Sequence, residues 1–323
     1  MLSSPVTRIS LADIRAARER LAGVALPTPV VPCATDATDR QVFLKLENLQ
    51  PIGSFKIRPV GNVVLSKSAG ALAHGLYTCS SGNSAIAVAW MARRLGVAAT
   101  AIITATAPES KRLRLRALEA RIVEASFEAW WRAVEQCGLA GERGAYIDAV
   151  RDPAALAGDG TLGLEILEQL PQLDAIFVPF GGGALACGIA CAVRALGAPV
   201  KVIACEIDTA QPFGAALRAG RVVPTSSHAG FVSGVGFHAL LPEMWPLARD
   251  LLDGTLTVSL AEVAAAIKRM AEDHKVIAEG AGAVPVAAAL GGRHPFRSVC
   301  AVVSGGNLDN DMLSTILAGG VPA

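Results

Sequence analysis

The chain has 323 residues, of which 52% are hydrophobic and 18% charged, and its formal net charge is +1 at pH 7. This length suggests about two domains, and the apolar content is sufficient for a large buried core. The near-neutral charge argues against nucleic acid or an anionic membrane as the main partner. The seven cysteines form no C-x-x-C pair, and their scattered spacing is typical of a protein of the reducing cytoplasm.

Strands and helices alternate along the chain. Apolar runs predict strands at 41–46, 75–79, 99–104, 121–124, 145–148, 175–179, 200–206 and 298–303. Helices are predicted at 10–21, from 53 onward, from about 84 to 95, at 109–118, through Trp130 and Trp131, and at 161–170, 184–196, 259–273 and 279–290. The alternation predicts α/β layers around mostly parallel sheets.

The charge-free run at 175–193 is long enough to resemble a membrane span. It contains Pro179 and three consecutive glycines, which predict a strand, a turn and a helix instead. The N-terminal residues show no basic-then-apolar signal pattern. We therefore expect a cytoplasmic protein that does not act at a membrane.

The segment 44–58 contains the first candidate site. Its strand is followed by Gly53 and Ser54, which predict the start of a helix with Lys56 in the first turn. The unpaired amides of a helix N-terminus carry partial positive charge, which lowers the pKa of a nearby amine and makes it a better nucleophile or base. Most lysines are simply solvent-exposed, so the other motifs must decide between the two interpretations.

In three further segments, small and polar residues follow directly after a predicted strand. Ligands bind at the carboxyl ends of strands in open α/β sheets. The glycines at 181–183 suit a phosphate monoester, because backbone amides converge there without a P-loop lysine or a G-x-G-x-x-G fingerprint. The serines at 80–84 suit a carboxylate, although they would equally cap a helix. Ser304 offers a neutral hydroxyl to a ring nitrogen. With Lys56 as a Schiff-base lysine, these features together predict pyridoxal 5'-phosphate and an amino acid.

These motifs resemble those of the threonine/serine dehydratase and serine racemase group of fold-type II pyridoxal-phosphate enzymes. The matching segments cover nearly the whole chain and are 45–51, 53–58, 80–83, 157–161, 181–183, 279–283 and 304–307. The resemblance implies a two-lobed, tryptophan synthase β-like fold, in which each lobe is a mostly parallel sheet flanked by helices. Residues 1–74 and 150–323 are expected to form the large cofactor-binding domain, and residues 75–149 the small domain.

The resemblance also implies roles for individual residues. Lys56 would form the Schiff base and move the Cα proton, and Ser81 matches the opposite-face acid/base of the racemases. Cofactor contacts are expected from Phe55, Lys56, Asn83, Gly181, Gly182, Gly183, Ala184, Leu185, Gly234, Glu279 and Ser304. Substrate contacts are expected from Ser80, Ser81, Gly82, Asn83 and Ser84.

The implied reaction is β-elimination from threonine, serine or a bulkier 3-substituted serine, giving a 2-oxo acid and ammonia. A neutral hydroxyl from Ser304 at the ring nitrogen does not enforce its protonation, which favours prompt loss of a β-substituent. Racemisation and β-replacement on the same scaffold remain open alternatives. Lys56 together with the three glycines argues against a non-catalytic binding protein. A nucleotide-binding dehydrogenase is also disfavoured, because the chain lacks the glycine fingerprint of that class. The resemblance also implies a homodimer.

Some positions depart from the family pattern. Ser84 stands where histidine is usual, which predicts a roomier substrate pocket, and Val150 replaces a residue that is often polar. The divalent-cation site of the family would use Glu206, the carbonyl of Ala210 and an acid at the position of Pro212. Because proline cannot supply that ligand, we expect no complete metal site.

Overall fold

The computed structural model describes residues 4–35, 39–105, 107 and 109–322. Within these residues the strands are β1 (Val30–Cys33), β2 (Gln41–Leu46), β3 (Leu76–Cys79), β4 (Ala99–Thr104), β5 (Arg121–Ala125), β6 (Ala145–Tyr146), β7 (Ala175–Pro179), β8 (Lys201–Ile207), β9 (Thr255–Val258) and β10 (Ser298–Val303). The helices are α1 (Leu11–Arg20), α2 (Ile57–Leu65), α3 (Ala69–Leu72), α4 (Asn83–Leu95), α5 (Glu109–Ala117), α6 (Phe127–Glu135), α7 (Pro153–Gln169), α8 (Ala184–Ala195), α9 (Pro212–Ala219), α10 (Trp245–Leu251), α11 (Leu260–His274), α12 (Gly280–Leu290) and α13 (Asn310–Leu317).

Two sheets organise the described residues. The larger has the strand order β1-β2-β10-β7-β8-β9, and the smaller has the order β5-β4-β3-β6. All neighbouring strands are parallel except β1 and β2, which are antiparallel. The smaller sheet is built within residues 75–149 and the larger outside them, in line with the expected small and large domains, whose boundaries stay a prediction.

Helices cover both faces of the larger sheet. Ile176 and Val178 of β7 point into a core shared with α1, α7, α8 and α10. Ala175 and Phe177, which alternate with them, point into the core formed with α11 and α12. A parallel strand that is buried on both faces has a continuous apolar sequence, which explains why this strand is predictable from its residues.

Most predicted elements agree closely with the structure, and two differ in where a helix begins. The bounds of β4, β7 and β10 match their predictions, and the predicted helix at 10–21 is α1, which begins with a capping box formed by Ser10 and Asp13. Helix α2 begins at Ile57, so Lys56 is its N-cap residue instead of lying in the first turn. Helix α7 begins at Pro153 and not at 161, because it continues through glycines that sequence propensity disfavours in a helix.

The charge-free run at 175–193 is divided, as predicted, into a strand and a helix. Residues 175–179 form β7, and α8 begins after the intervening glycines. Both elements lie in the core of the larger sheet. In the part of the chain that the structure describes, we find no helix with the length and apolar character needed to cross a bilayer.

Candidate active site

A cavity of about 310 Å³ lies where the carboxyl ends of strands from both sheets meet. Strands β3, β7 and β10 each lead directly into a segment that lines it. Every residue predicted to contact the cofactor or the substrate lines this cavity, namely Phe55, Lys56, Ser80, Ser81, Gly82, Asn83, Ser84, Gly181, Gly182, Gly183, Ala184, Leu185, Gly234, Glu279 and Ser304. The fold therefore brings distant segments of the chain together, while the individual roles stay predictions.

Lys56 lies at the start of α2 with its side chain directed over an aromatic ring. Its Nζ atom is 4.7 Å from the centroid of the Phe55 ring. The structure shows no hydrogen bond or ion pair of Nζ with any other described residue. Burial lowers the pKa of the amine, and the negative charges of Asp159 and Asp148 oppose this shift. The direction matches the sequence prediction, but burial is the main cause and not the helix terminus.

The glycine loop before α8 has an unusually close packing partner. A Cβ atom on Gly181 would lie 2.1 Å from the carbonyl oxygen of Gly234, so any side chain there would displace the loop that carries Gly234. Among the described residues the amides of 181–183 donate no backbone hydrogen bond, and Ala184 and Leu185 lie in the first turn of α8. These amides and the helix dipole form an anion-binding site at residues 181–185, which we call the anion seat.

The serine-rich loop leads into α4 without capping it. The N-cap residue of α4 is Gly82, and no side chain of a described residue accepts a capping hydrogen bond there. Ser80 Oγ accepts a hydrogen bond from the amide of Gly82 at 3.2 Å. Helix capping therefore does not explain these serines, and Ser81 and Ser84 line the cavity.

Asn83 connects the two lobes at the edge of the cavity. Its Nδ2 atom donates to Glu279 Oε1 at 2.6 Å, and its Oδ1 atom accepts from Asn307 Nδ2 at 2.7 Å. Burial raises the pKa of Glu279 to about 7, while the nearby charges of Lys111 and Arg114 and the Asn83 hydrogen bond limit the rise. The orientation of the Asn83 amide thus depends on residues from the far end of the chain.

A buried ion network lies behind Lys56; it consists of Lys45, Glu47, Arg58 and Glu165. Arg58 donates to both oxygens of Glu47 at 2.8 Å and to Glu165 at 2.7 Å. Lys45 Nζ donates to Glu165 at 2.6 Å and to the Thr28 carbonyl at 2.7 Å. Burial opposes the charge of Glu47, but Arg58, together with Thr28 and Lys45, outweighs the effect of burial and holds the Glu47 pKa below its ordinary value.

Sequence reasoning missed part of the cavity wall. Trp130 and Trp131 of α6, Tyr146 at the end of β6 and Phe237 add aromatic surface, and Arg151 adds a cation that is paired with Asp148 at 2.7 Å. Two adjacent tryptophans in a chain with only four were the available signal. Nothing in their local pattern showed that α6 faces the cavity.

Glu206 and Ala210 lie outside the cavity lining. The carboxylate of Glu206 accepts from the amides of Phe213 at 2.8 Å and Gly214 at 2.9 Å and from Thr255 Oγ1 at 2.9 Å. Its oxygens are thus engaged at the start of α9. No group of three or more His, Cys, Asp or Glu side chains arranged for a metal ion is found among the described residues.

Comparison with known proteins gives the class of this protein. The family model described as "Pyridoxal-phosphate dependent enzyme" matches residues 21–305. The chain is 34% identical to L-threonine ammonia-lyase of Thermotoga maritima over 97% of this chain and 79% of that protein. It is 34% identical to human serine racemase over 93% of this chain and 92% of that protein. The chain belongs to the pyridoxal-phosphate dependent enzyme family.

Solved structures agree with this assignment. Maize serine racemase superposes with a TM-score of 0.87 and 31% identity, over 97% of this chain and 98% of that chain. The processed form of threonine deaminase isoform 2 from Solanum lycopersicum gives a TM-score of 0.85 and 28% identity, over 99% and 91%. The architecture is therefore that of a fold-type II enzyme, as predicted, and its cofactor is pyridoxal 5'-phosphate.

The residues present fit this cofactor. Lys56 offers a half-buried amine in the cavity wall that has no partner among the described residues, and the amides at 181–185 offer a seat for the cofactor phosphate. When bound, the cofactor supplies a sink for the electrons of a bond to the substrate Cα atom.

Proposed function

We propose that the protein is a pyridoxal-phosphate-dependent dehydratase (ammonia-lyase) acting on a β-hydroxy amino acid. The substrate loses the Cα hydrogen and the Cβ hydroxyl as water, and the released enamine tautomerises to an imine. Water then hydrolyses the imine to a 2-oxo acid and ammonia. The observation that carries this proposal is that an unpaired lysine, an anion seat and a serine-rich loop line one cavity, among the residues that the structure describes. The similarity to threonine ammonia-lyases supports it.

The residue roles follow from the chemistry of each group. Lys56 Nζ takes the Cα proton, and its lowered pKa increases the fraction of free amine near neutral pH. Ser304 presents a hydroxyl to the ring nitrogen, and Ser81 stands as acid/base on the opposite face. The phosphate and ring are held by Phe55, Asn83, Gly181, Gly182, Gly183, Ala184, Leu185, Gly234 and Glu279. The substrate carboxylate is held by Ser80, Ser81, Gly82, Asn83 and Ser84.

The substrate side chain is the feature that we expect to distinguish this enzyme. The aromatic wall of Trp130 and Trp131 and the small side chain of Ser84 favour a bulky apolar β-substituent, such as the aryl group of a 3-aryl serine. A screen of threonine, serine and 3-phenylserine for 2-oxo-acid release tests this. The variant Ser84→His should reduce turnover of the aryl substrate selectively, and Ser84→Ala should not. A strong preference of the native enzyme for serine would contradict the proposal of a bulky substrate.

Racemisation is the second candidate, because Ser81 lines the cavity and serine racemases are among the relatives. Chiral analysis of recovered substrate, set against 2-oxo-acid formation, separates the two reactions. Ser81→Ala should abolish racemisation and spare most of the elimination. Lys56→Ala should abolish both.

We also propose a cytoplasmic homodimer. The dimer rests on the family resemblance, and light scattering of the purified protein measures it directly. The seven cysteines are all free, six of them buried, which supports a reducing compartment.

A further inference from the structure

Asp159 is a buried acid to which the proposed reaction gives no role. It lies in the middle of α7, and its exposed fraction is 0%. Neither carboxylate oxygen has a hydrogen-bond partner among the described residues. A buried carboxyl without partners is destabilising, so its presence requires a reason other than stability.

The backbone around Asp159 is built to accept it. A Cβ atom at Gly188 of α8 would lie 2.6 Å from the Asp159 Cβ atom, and one at Gly158 would lie 2.4 Å from the carbonyl oxygen of Arg58. Glycines on two helices therefore allow α7 to pack closely against α8 and the start of α2. These are the two helices that begin at the anion seat and at Lys56.

The charges around Asp159 leave one cation unpaired in the described part of the chain. Lys56 and Arg58 are the positive charges that act on it, and Glu47 is the negative one. Arg58 already donates to Glu47, Glu165 and the Thr161 hydroxyl. The Lys56 amine has no ion pair with any described residue, including Asp159 itself. The Asp159 carboxyl therefore acts on Lys56 through the low-dielectric interior and not by direct contact.

The other titratable groups near Lys56 and Asp159 either form an ion pair or carry no charge near neutral pH. Asp148 also acts on Lys56, but it is paired with Arg151 at 2.7 Å. The thiol of Cys187 on α8 lies near Asp159, and burial raises its pKa well above the ordinary value, so it carries no charge near neutrality.

We propose that Asp159 is a positioning residue for Lys56. When the Asp159 carboxyl is ionised, it favours the ammonium form of Lys56, and the ionisation of this acid so sets the pH at which the amine is free to act as a base. This rests on the proposed role of Lys56. It explains why an acid without hydrogen bonds lies close to a lysine without ion pairs in the described part of the chain.

The two groups must then titrate as a coupled pair. Burial lowers the pKa of Lys56 and raises that of Asp159 to about 8. Burial therefore moves the two pKa values toward each other, and interacting groups lose their protons in macroscopic steps that belong to the pair. Replacing the acid by an uncharged isostere removes the attraction for the ammonium form, so the Lys56 pKa should fall and its curve should become single-step.

The test measures Lys56 in the full-length protein freed of cofactor. Wild type and Asp159→Asn are treated with acetic anhydride between about pH 6 and pH 11, the range over which amines titrate. Acetylation of the Lys56 peptide is read by mass spectrometry and normalised to Lys201, an exposed lysine paired with Asp253. The expected result is a midpoint for Lys56 at least about one pH unit lower in the variant, with Lys201 unchanged.

Two variants control the comparison. Glu206→Gln removes an equally buried acid that is bonded at α9, and it should leave the Lys56 curve unchanged. Asp159→Ala should lower the Lys56 midpoint in the same way as Asp159→Asn. The alanine variant can therefore be used if the asparagine variant does not fold. In holoenzyme, the pH titration of visible absorbance should move in the same direction.

Identical Lys56 curves in wild type and both Asp159 variants would overturn the proposal. The measurement requires no turnover, so its outcome is independent of the substrate screen. If no β-hydroxy amino acid is turned over but the Lys56 midpoint moves, the proposed function fails and the role of Asp159 stands.

Discussion

Lys45 and Lys56 lie in adjoining segments of the chain but have opposite surroundings, and Lys56 is half-buried in the cavity wall. Lys45 is completely buried, and its Nζ atom donates to Thr28, Glu165 and Gln169. Lys56 has no hydrogen-bond or ion-pair partner for Nζ in the described residues, and the acid that acts on it most strongly, Asp159, is equally without hydrogen bonds there. The buried ion network pairs its charges, whereas Lys56 and Asp159 interact only through the electric field between them.

The difference separates stability from chemistry. A buried ion whose partners are complete stays charged and holds the chain in one arrangement, whereas removing a partner is strongly destabilising. A buried amine without partners has a lowered pKa and remains free to exchange a proton. The buried ion network thus supports the segment that carries Lys56, while Lys56 itself is left available.

The largest effect on activity is expected from Lys56→Ala. Turnover of the best β-hydroxy amino acid should fall by at least about a thousandfold, the scale on which general acid–base groups contribute. The free energy of unfolding should change little, because the amine has no bond to lose within the described residues. Turnover assays and urea unfolding of the same preparation check both parts. A variant that keeps substantial turnover would show that Lys56 is not the base.

The largest effect on stability is expected from Arg58→Ala in the buried ion network. Glu47 would remain buried without its cation, and the free energy of unfolding should fall by about 3 to 5 kcal/mol. Arg18→Ala is the control, because Arg18 and Glu168 form an ion pair with side chains 49% and 60% exposed. That variant should lose less than about 1 kcal/mol. Equal losses in both variants would contradict the distinction between the two regions.

A smaller, pH-dependent effect is expected from Asp159→Asn. The pKa of Asp159 is about 8 in the native protein and 3.8 for the free group, so the native state binds more protons between these values. Wild-type stability should therefore fall as the pH rises from about 4 to about 8, and the variant should gain about 2 to 5 kcal/mol relative to wild type over that range. Urea unfolding of cofactor-free protein at several pH values measures this. Parallel pH profiles would mean that Asp159 does not titrate as the structure indicates.

The sequence predicts most of the parallel strands well and the cavity lining in part. Strands such as β7 are apolar throughout because helices cover both faces, so their bounds can be read directly from the residues. The motif residues could be assigned to one site because ligands bind at the carboxyl ends of parallel strands. Residues such as Trp131 could not, because local periodicity does not tell which neighbour a helix faces.

The start of α7 shows why the rest was not predictable. Gly158 and Gly160 disfavour a helix by propensity, yet close contact with Arg58 and Ile14 requires glycine there. The benefit of that contact appears only when the partner elements are in place. Helix boundaries set by packing therefore lie beyond what a single sequence reveals.

By itself the sequence determined the alternating α/β order, the family motifs and the identity of Lys56 as the candidate base, because these depend on residue type and local spacing. Only the tertiary structure decided that Asp159 is buried near Lys56, that Arg58 is already occupied by Glu47, and that α6 closes the cavity with aromatic rings. The physical reason is that burial and charge pairing are properties of distant segments brought together. Burial and charge pairing set the pKa of a group, and they cannot be read from the residues next to that group in the sequence.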